Sequence, residues 1–253
     1  MNWTSIGAIY RFEMARARRT LWQSLVAPVM TTSLYFLVFG SAIGSRMSTM
    51  GGVDYGSFIV PGLVLLSVLQ QAIFNASFGI YFPKFTGTIY ELLSAPISAL
   101  ETVVAYVGAA ASKAIILALV TLATATLFVD VRVDHPLLML AFLAAITIGF
   151  CLLGFAIGIW AKNFEQLQVV PLLVVTPLTF LGGVFYSVAA LGEPWKTLTQ
   201  LNPILYLVSG FRWAFFSHAD VPLWSSVAVM MASIALPLAA IVWIFKTGYR
   251  LKN

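Results

Sequence analysis

The chain has 253 residues, of which 60% are hydrophobic and only 9% are charged, with a formal charge of +5. That balance is too apolar for the mixed surface and core of a soluble domain, so ordinary soluble enzymes and binding modules are excluded and an integral membrane protein is expected. The single Cys151 excludes a disulfide framework.

Residues 2–20 predict an amphipathic helix: Trp3, Ile6, Tyr10, Met14 and Ala17 recur at helical spacing, while Arg11, Arg18 and Arg19 lie elsewhere on the wheel. Such a helix suits the headgroup layer, the alternative being a basic topogenic tail. Six apolar runs follow, over 20–45, 55–83, 102–129, 136–161, 166–192 and 221–245, the third broken only by Lys113. A helix rising about 1.5 Å per residue needs roughly 20 apolar residues to cross about 30 Å of hydrocarbon. Unpaired backbone is not tolerated there, so each run is expected to be a membrane-spanning helix. The 20–45 run is too long for a signal-peptide core and no cleavage site precedes Arg46, so it is taken as the first span.

With six crossings both termini share one side, together with Arg11, Arg16, Arg18, Arg19, Lys84, Lys113, Lys162, Lys246, Arg250 and Lys252. The other side keeps Arg46, Arg132, Lys196 and Arg212, and ten against four places both termini in the cytoplasm. The positive charge is then a topology signal, and no nucleic-acid partner is expected.

Lys113 would cost roughly 2.5 to 3.5 kcal/mol at a helix centre. The reading preferred over a substrate-binding lysine is a third span that starts late, with Lys113 reaching toward the cytoplasmic interface. The 84–101 joint, KFTGTIYELLSAPISALE, predicts a short helix ended by Pro96. Its Ile89, Tyr90, Leu92 and Leu93 are more apolar than a solvated loop needs, so it docks on a partner or lies on the membrane surface. The 187–220 stretch is uncharged over 197–211 but too short to cross there. Helices dipping into the outer leaflet are expected, with an amphipathic outer loop as the alternative.

None of the six lysines follows a glycine, so no phosphate-binding Gly-Lys-Ser/Thr loop is present. No G-x-S-x-G elbow occurs, and His135 and His218 lie in separate outer joints, which disfavours a metal site. No acid sits deep in a span as it would in a proton-coupled carrier. Small-residue pairs Gly40–Gly44 and Gly154–Gly158 allow close helix packing without naming a function. Phe39, Phe74 and Phe78, with Gln70, Gln71 and Asn75 near them, are candidates to line a route for an amphiphile. Interfacial belts and ordinary packing are the plainer explanation of the aromatics.

Three sets of residues stand in order along the chain: the basic amphipathic start; Gly87-Thr88-Ile89-Tyr90-Glu91-Leu92-Leu93 through Pro96-Ile97; and Pro177, Phe180-Leu181-Gly182-Gly183-Val184-Phe185-Tyr186, Pro194-Trp195, Leu201-Asn202-Pro203, Tyr206 and Phe211-Arg212. Through them the chain resembles, nearly end to end, the membrane subunits of ABC-2 type exporters. Gly182 stands where many members have Ser, and Gly192-Glu193-Pro194 replaces a more apolar approach.

The resemblance implies an all-α domain over 1–253 with an interface helix at 2–20, a coupling loop at 84–100 and an external re-entrant region at 187–220. It implies a half-transporter in a prokaryotic inner membrane that pairs with a second copy and with two ATP-binding subunits, which hold ATP and magnesium, while this chain has no cofactor and is no enzyme. In this scheme Tyr90, Glu91, Leu92, Leu93 and Pro96 meet the ATPase, Arg16, Arg18 and Arg19 hold the interface helix against ATPase or anionic lipid, and Phe39, Gln70, Phe74, Asn75 and Phe78 line the path. Phe185, Tyr186, Asn202 and Pro203 form the external gate. The implied cargo is an amphiphile, drug, lipid or lipid-linked saccharide. An autonomous carrier or channel, or an intramembrane enzyme, are the competing classes.

Overall fold

A computed structural model describes residues 2–43, 49–50 and 52–250; Gly44, Arg46 and Lys252 lie outside the described residues. The helices in order are α1 (Trp3–Arg19), α2 (Leu21–Tyr35), α3 (Tyr55–Thr86), α4 (Ile89–Ser94), α5 (Ala99–Ala125), α6 (Pro136–Trp160), α7 (Phe164–Val169), α8 (Thr176–Phe180), α9 (Trp195–Gln200), α10 (Pro203–Phe216) and α11 (Leu223–Thr247). Wider π-helical turns prolong α2 over Phe36–Ile43 and join α7 to α8 over Val170–Val175. The expectation of an all-α chain has one small exception: Thr49–Met50 and Val53–Asp54 pair as an antiparallel hairpin, Thr49 opposite Asp54.

Among the described residues four helices, α3, α5, α6 and α11, are long and apolar enough to cross a membrane, and a fifth is counted if α1 and the 24–40 stretch, bent by 61°, are taken together. The 166–192 run is broken. Pro171 lacks the N–H a helix interior needs, so the ladder widens there, and the helical stretch Phe164–Phe180 ends before the glycine pair 182–183. It still runs the height of the bundle: Phe164 meets Tyr81 and Phe85 edge-on at one end, and Phe180 meets Phe185 near Tyr55 at the other.

At the core α3 packs against α6, and two glycines of α6 bring the backbones close. A Cβ on Gly154 would lie 2.4 Å from the carbonyl oxygen of Ile73, and one on Gly158 2.4 Å from that of Ser77. The Gly154–Gly158 spacing thus does what it predicts, whereas Gly40 faces open space.

The two ends of the bundle differ. One carries α4, the start of α5 and both described termini: the Asn2 N–H donates to Glu101 Oε1, and Arg250 donates to the carbonyl of Trp160 at 2.8 Å. Lys84 is buried there, its ammonium donating to the carbonyls of Ile159 (2.8 Å) and Ala161 (3.3 Å) at the end of α6. The opposite end carries the hairpin and α9 and α10. Helix α3 has 32 residues, about 48 Å of helix, so it overruns a hydrocarbon layer of about 30 Å.

Candidate functional site

Helix α4 is held at both ends. Gly87 terminates α3 at a φ of 78°, a conformation that glycine adopts without strain. Pro96 then stops α4, and Ser98 opens α5 with a reciprocal cap: its hydroxyl accepts from the Glu101 N–H at 3.3 Å and its own N–H donates to Glu101 Oε2 at 2.8 Å. Ile89 is buried and Leu92 packs on the core, while Tyr90, Glu91, Leu93 and Pro96 are exposed. The residues expected to meet an ATPase therefore divide: Leu92 joins Ile89 in anchoring the helix, while Tyr90, Glu91, Leu93 and Pro96 face outward. Because Glu101 also accepts from Asn2, the start of α1 is tied to the start of α5 beside α4.

From that tie α1 rises along α5 in the same direction. Tyr10 Oη lies 2.9 Å from Ser112 Oγ, and Lys113 Nζ lies 3.0 Å from Glu13 Oε2, which also accepts from Arg16 at 2.7 Å. The Lys113 ammonium, fourteen residues after α5 begins at Ala99, is held by a carboxylate of α1 whose side chain is 3% exposed. Burying a lysine away from water is tolerable when an acid partners it. The expected apolar face of α1 holds at Ile6, Tyr10, Met14 and Ala17, but Trp3 is exposed.

One face of α3 remains partly open. Ser67, Gln70, Gln71, Phe74, Asn75 and Phe78 are half-buried among buried neighbours, at the 3–4 residue spacing of a single helix stripe. Gln70 and Asn75, five residues apart, both belong to this face. Two cavities lie along it. One, of about 560 Å³, is lined by Phe74, Asn75, Phe78 and Phe82 of α3 together with Arg16, Arg18 and Lys113. The other, of about 430 Å³, is lined by Gln70, Phe74, Tyr35 and Thr176. Gln71 and Phe74 line both, and Gln70 donates to Thr176 Oγ1 at 3.0 Å. Arg16 also rests 5.0 Å from the Phe78 ring centre. Phe39 stands apart, in an aromatic cluster with Tyr35 and Phe185 at the opposite end. Arg19 is exposed and lines neither cavity.

At that end Phe185 lies between Phe39 (4.6 Å between ring centres) and Phe180 (5.3 Å), and Tyr55 donates to its carbonyl at 3.1 Å. Tyr186 donates to Leu181 O at 2.8 Å. Asn202 caps α10 and donates to Leu178 O at 2.6 Å, with Pro203 in the first helical turn. The joint is pinned by a buried pair that the sequence does not announce. Arg212, 1% exposed, bonds Asp220 at 2.7 Å and the carbonyl of Gly183 at 2.6 Å and lies 3.9 Å from the Phe58 ring centre. Asp220 also accepts from Ser187 and from the Val188 N–H. His135, in one of the outer joints, is stacked on Trp213 at 4.7 Å and bonded to Ser217 at 3.1 Å. His218 is exposed, and among the described residues no three His, Cys, Asp or Glu side chains stand together.

A sequence profile described as ABC-2 type transporter matches residues 4–216. The inner membrane transport permease YadH of Escherichia coli strain K12 is 38% identical over 234 residues, which cover 92% of this chain and 91% of that protein. Nodulation protein J of Neorhizobium galegae is 22% identical over 239 residues, 94% of this chain and 90% of its own. Nodulation protein J of Rhizobium leguminosarum bv. trifolii is 22% identical over the same length.

Proposed function

The chain belongs to the ABC-2 type transporter family, and from that premise we infer that it is the membrane permease subunit of an ATP-driven exporter in a bacterial inner membrane. Similarity to YadH supports the transport role and the membrane. Two copies form the path, and two separate ATP-binding subunits hold ATP and magnesium. Counting the 20–45 and 166–192 runs as crossings gives six spans with both termini cytoplasmic, on the side of α4, and the 187–220 region as the external cap.

The observation that carries the reading is α4: a short helix clamped between the long helices α3 and α5, anchored by Ile89 and presenting Tyr90, Glu91 and Leu93 outward. Apolar side chains displayed in this way suit docking into a protein partner. A push on α4 reaches the start of α5 through Pro96 and Ser98, then α1 through the Asn2–Glu101 bond and the Glu13–Lys113 pair, and α2 beyond the bend. Helices α1 and α2 flank the open face of α3, so a rigid shift of the two widens or narrows the route past Gln70, Phe74, Asn75 and Phe78. Of the three arginines expected to hold α1 against lipid or ATPase, Arg19, exposed and outside both cavities, keeps that role, while Arg16 and Arg18 turn to the cavity.

The test is to purify the tagged chain from its native membrane in mild detergent and to assay ATP hydrolysis. A roughly equimolar ATP-binding companion with hydrolysis, both lost in Tyr90→Asp/Leu93→Asp, is expected. A folded chain that never carries such a companion, and that conducts solutes alone in liposomes, would identify an autonomous carrier instead.

A further inference from the structure

We propose that the cavity between α1, α3 and α5 is a binding site for a cargo amphiphile with an anionic head, a phosphate or carboxylate on an apolar body. Its transport consequence rests on the permease reading above; the binding itself does not.

The first argument is charge. Arg16, Arg18 and Lys113 line the cavity, and the carboxylate beside them, Glu13, is shared by Arg16 and Lys113. One acid against three bases leaves the wall positive, and Arg18 makes no ion pair among the described residues. Such an excess beside low-dielectric walls attracts an anion and repels a cation more strongly than the same charges would in water.

The second argument is shape and lining. A volume of about 560 Å³ falls within the range of small-molecule sites, roughly 300 to 1,000 Å³. Phe74, Phe78, Phe82, Ile116 and Leu117 line it beside the bases. A head placed at Arg18 would lay its apolar body over the rings, where burial contributes about 25 cal/mol per Å². Phe78 already meets a cation on its face, since Arg16 stands 5.0 Å from its centre, so the aromatic wall and the basic wall are in contact.

The third argument is continuity. Gln71 and Phe74 belong both to this cavity and to its neighbour, where Gln70, Gln168 and Thr176 supply uncharged donors and acceptors. An anionic head leaving Arg18 therefore meets neutral hydrogen-bonding side chains next. That order suits a path, because a site of unrelieved positive charge along its whole length would hold an anion too firmly to release it.

The experiment uses the purified full chain with its companion subunits in phosphatidylcholine discs. The probes are dodecyl phosphate carrying a photoreactive diazirine at the tail end and the same tail on a trimethylammonium head. The phosphate probe should label peptides spanning 71–82 and 113–117, excess dodecyl phosphate should displace it, and the cationic probe should label them weakly. Arg18→Gln, at an exposed position that leaves the core intact, should cut phosphate labelling about three- to tenfold, as expected for one charge-assisted contact partly open to water. Arg11→Gln, on the same helix but outside the cavity, should leave it unchanged. Equal labelling by both heads, no effect of Arg18→Gln, or an equal effect of Arg11→Gln would overturn the site. Discs of phosphatidylglycerol separate cargo from resident lipid: labelling kept at half or more supports a cargo site, and labelling abolished assigns the cavity to bulk anionic lipid and overturns the proposal.

Discussion

Glu13 lies between Arg16 (2.7 Å) and Lys113 (3.0 Å) with its side chain 3% exposed, Lys113 being 12% and Arg16 27% exposed. Replacing Glu13 with Gln keeps the shape and removes the counter-charge, leaving an ammonium and a guanidinium facing each other along α5. Breaking a buried ion pair from one side costs about 3 to 5 kcal/mol. Arg16, 27% exposed, keeps partial access to water, which discounts that cost to about 2 to 3 kcal/mol. For a chain of this size that corresponds to a fall in unfolding temperature of roughly 5 to 10 °C. The chain carries its own reporter: Cys151 is the one cysteine in the sequence and is fully buried, so a thiol-reactive dye becomes fluorescent only as the bundle opens. Removing both charges in Glu13→Gln/Lys113→Met should recover at least half of the loss, because a buried pair replaced by apolar groups is close to neutral. If Glu13→Gln melts with the parent chain, or the double variant melts below the single one, the pair does not hold α1 to α5.

Asp220→Asn should be at least as damaging at the other end, since it strands the Arg212 cation against Gly183 O and the Phe58 ring; a loss of about 3 to 5 kcal/mol would appear as a reduced monodisperse fraction in detergent. Gly158→Val should destabilise by about 1 to 3 kcal/mol or more through overpacking, because even a Cβ there lies 2.4 Å from Ser77 O; the same dye assay measures it, with Gly40→Val, in open space, as the unaffected comparison. Gln70→Leu/Asn75→Leu should leave the companion ATPase bound and reduce export, read as cellular accumulation of the cargo. Unchanged export with assembly intact would remove these two residues from the path.

Much of the frame was readable because long apolar runs in lipid have one solution. Helices α3, α6 and α11 fall within a few residues of the expected runs, and Gly87, Pro96 and Ser98 set the ends of α4 and α5 by local chemistry alone. The open face of α3 was also legible in principle: Ser67, Gln70, Gln71 and Asn75 recur at helical spacing in an otherwise aliphatic segment. Lys113 was singled out by its cost, but its partner was not, since Glu13 lies 100 residues away and nothing local marks it as buried. Arg212 and Asp220 were hidden for a related reason. Each reads as an ordinary loop or interface charge until the fold brings Gly183, Ser187 and Phe58 around them. The fifth run was misjudged in continuity because apolarity measures length, while Pro171 and the glycine pair 182–183 set where the ladder widens and stops.

The most direct test of the central claim is a photo-crosslinking amino acid placed at Leu93 in living cells, with Leu137 as the matched position at the other end, both exposed in the structure. Position 93 should capture an ATP-binding protein and position 137 should not. Capture of that protein at 137, or none at 93 in a chain that still reaches the membrane folded, would contradict a permease driven through α4.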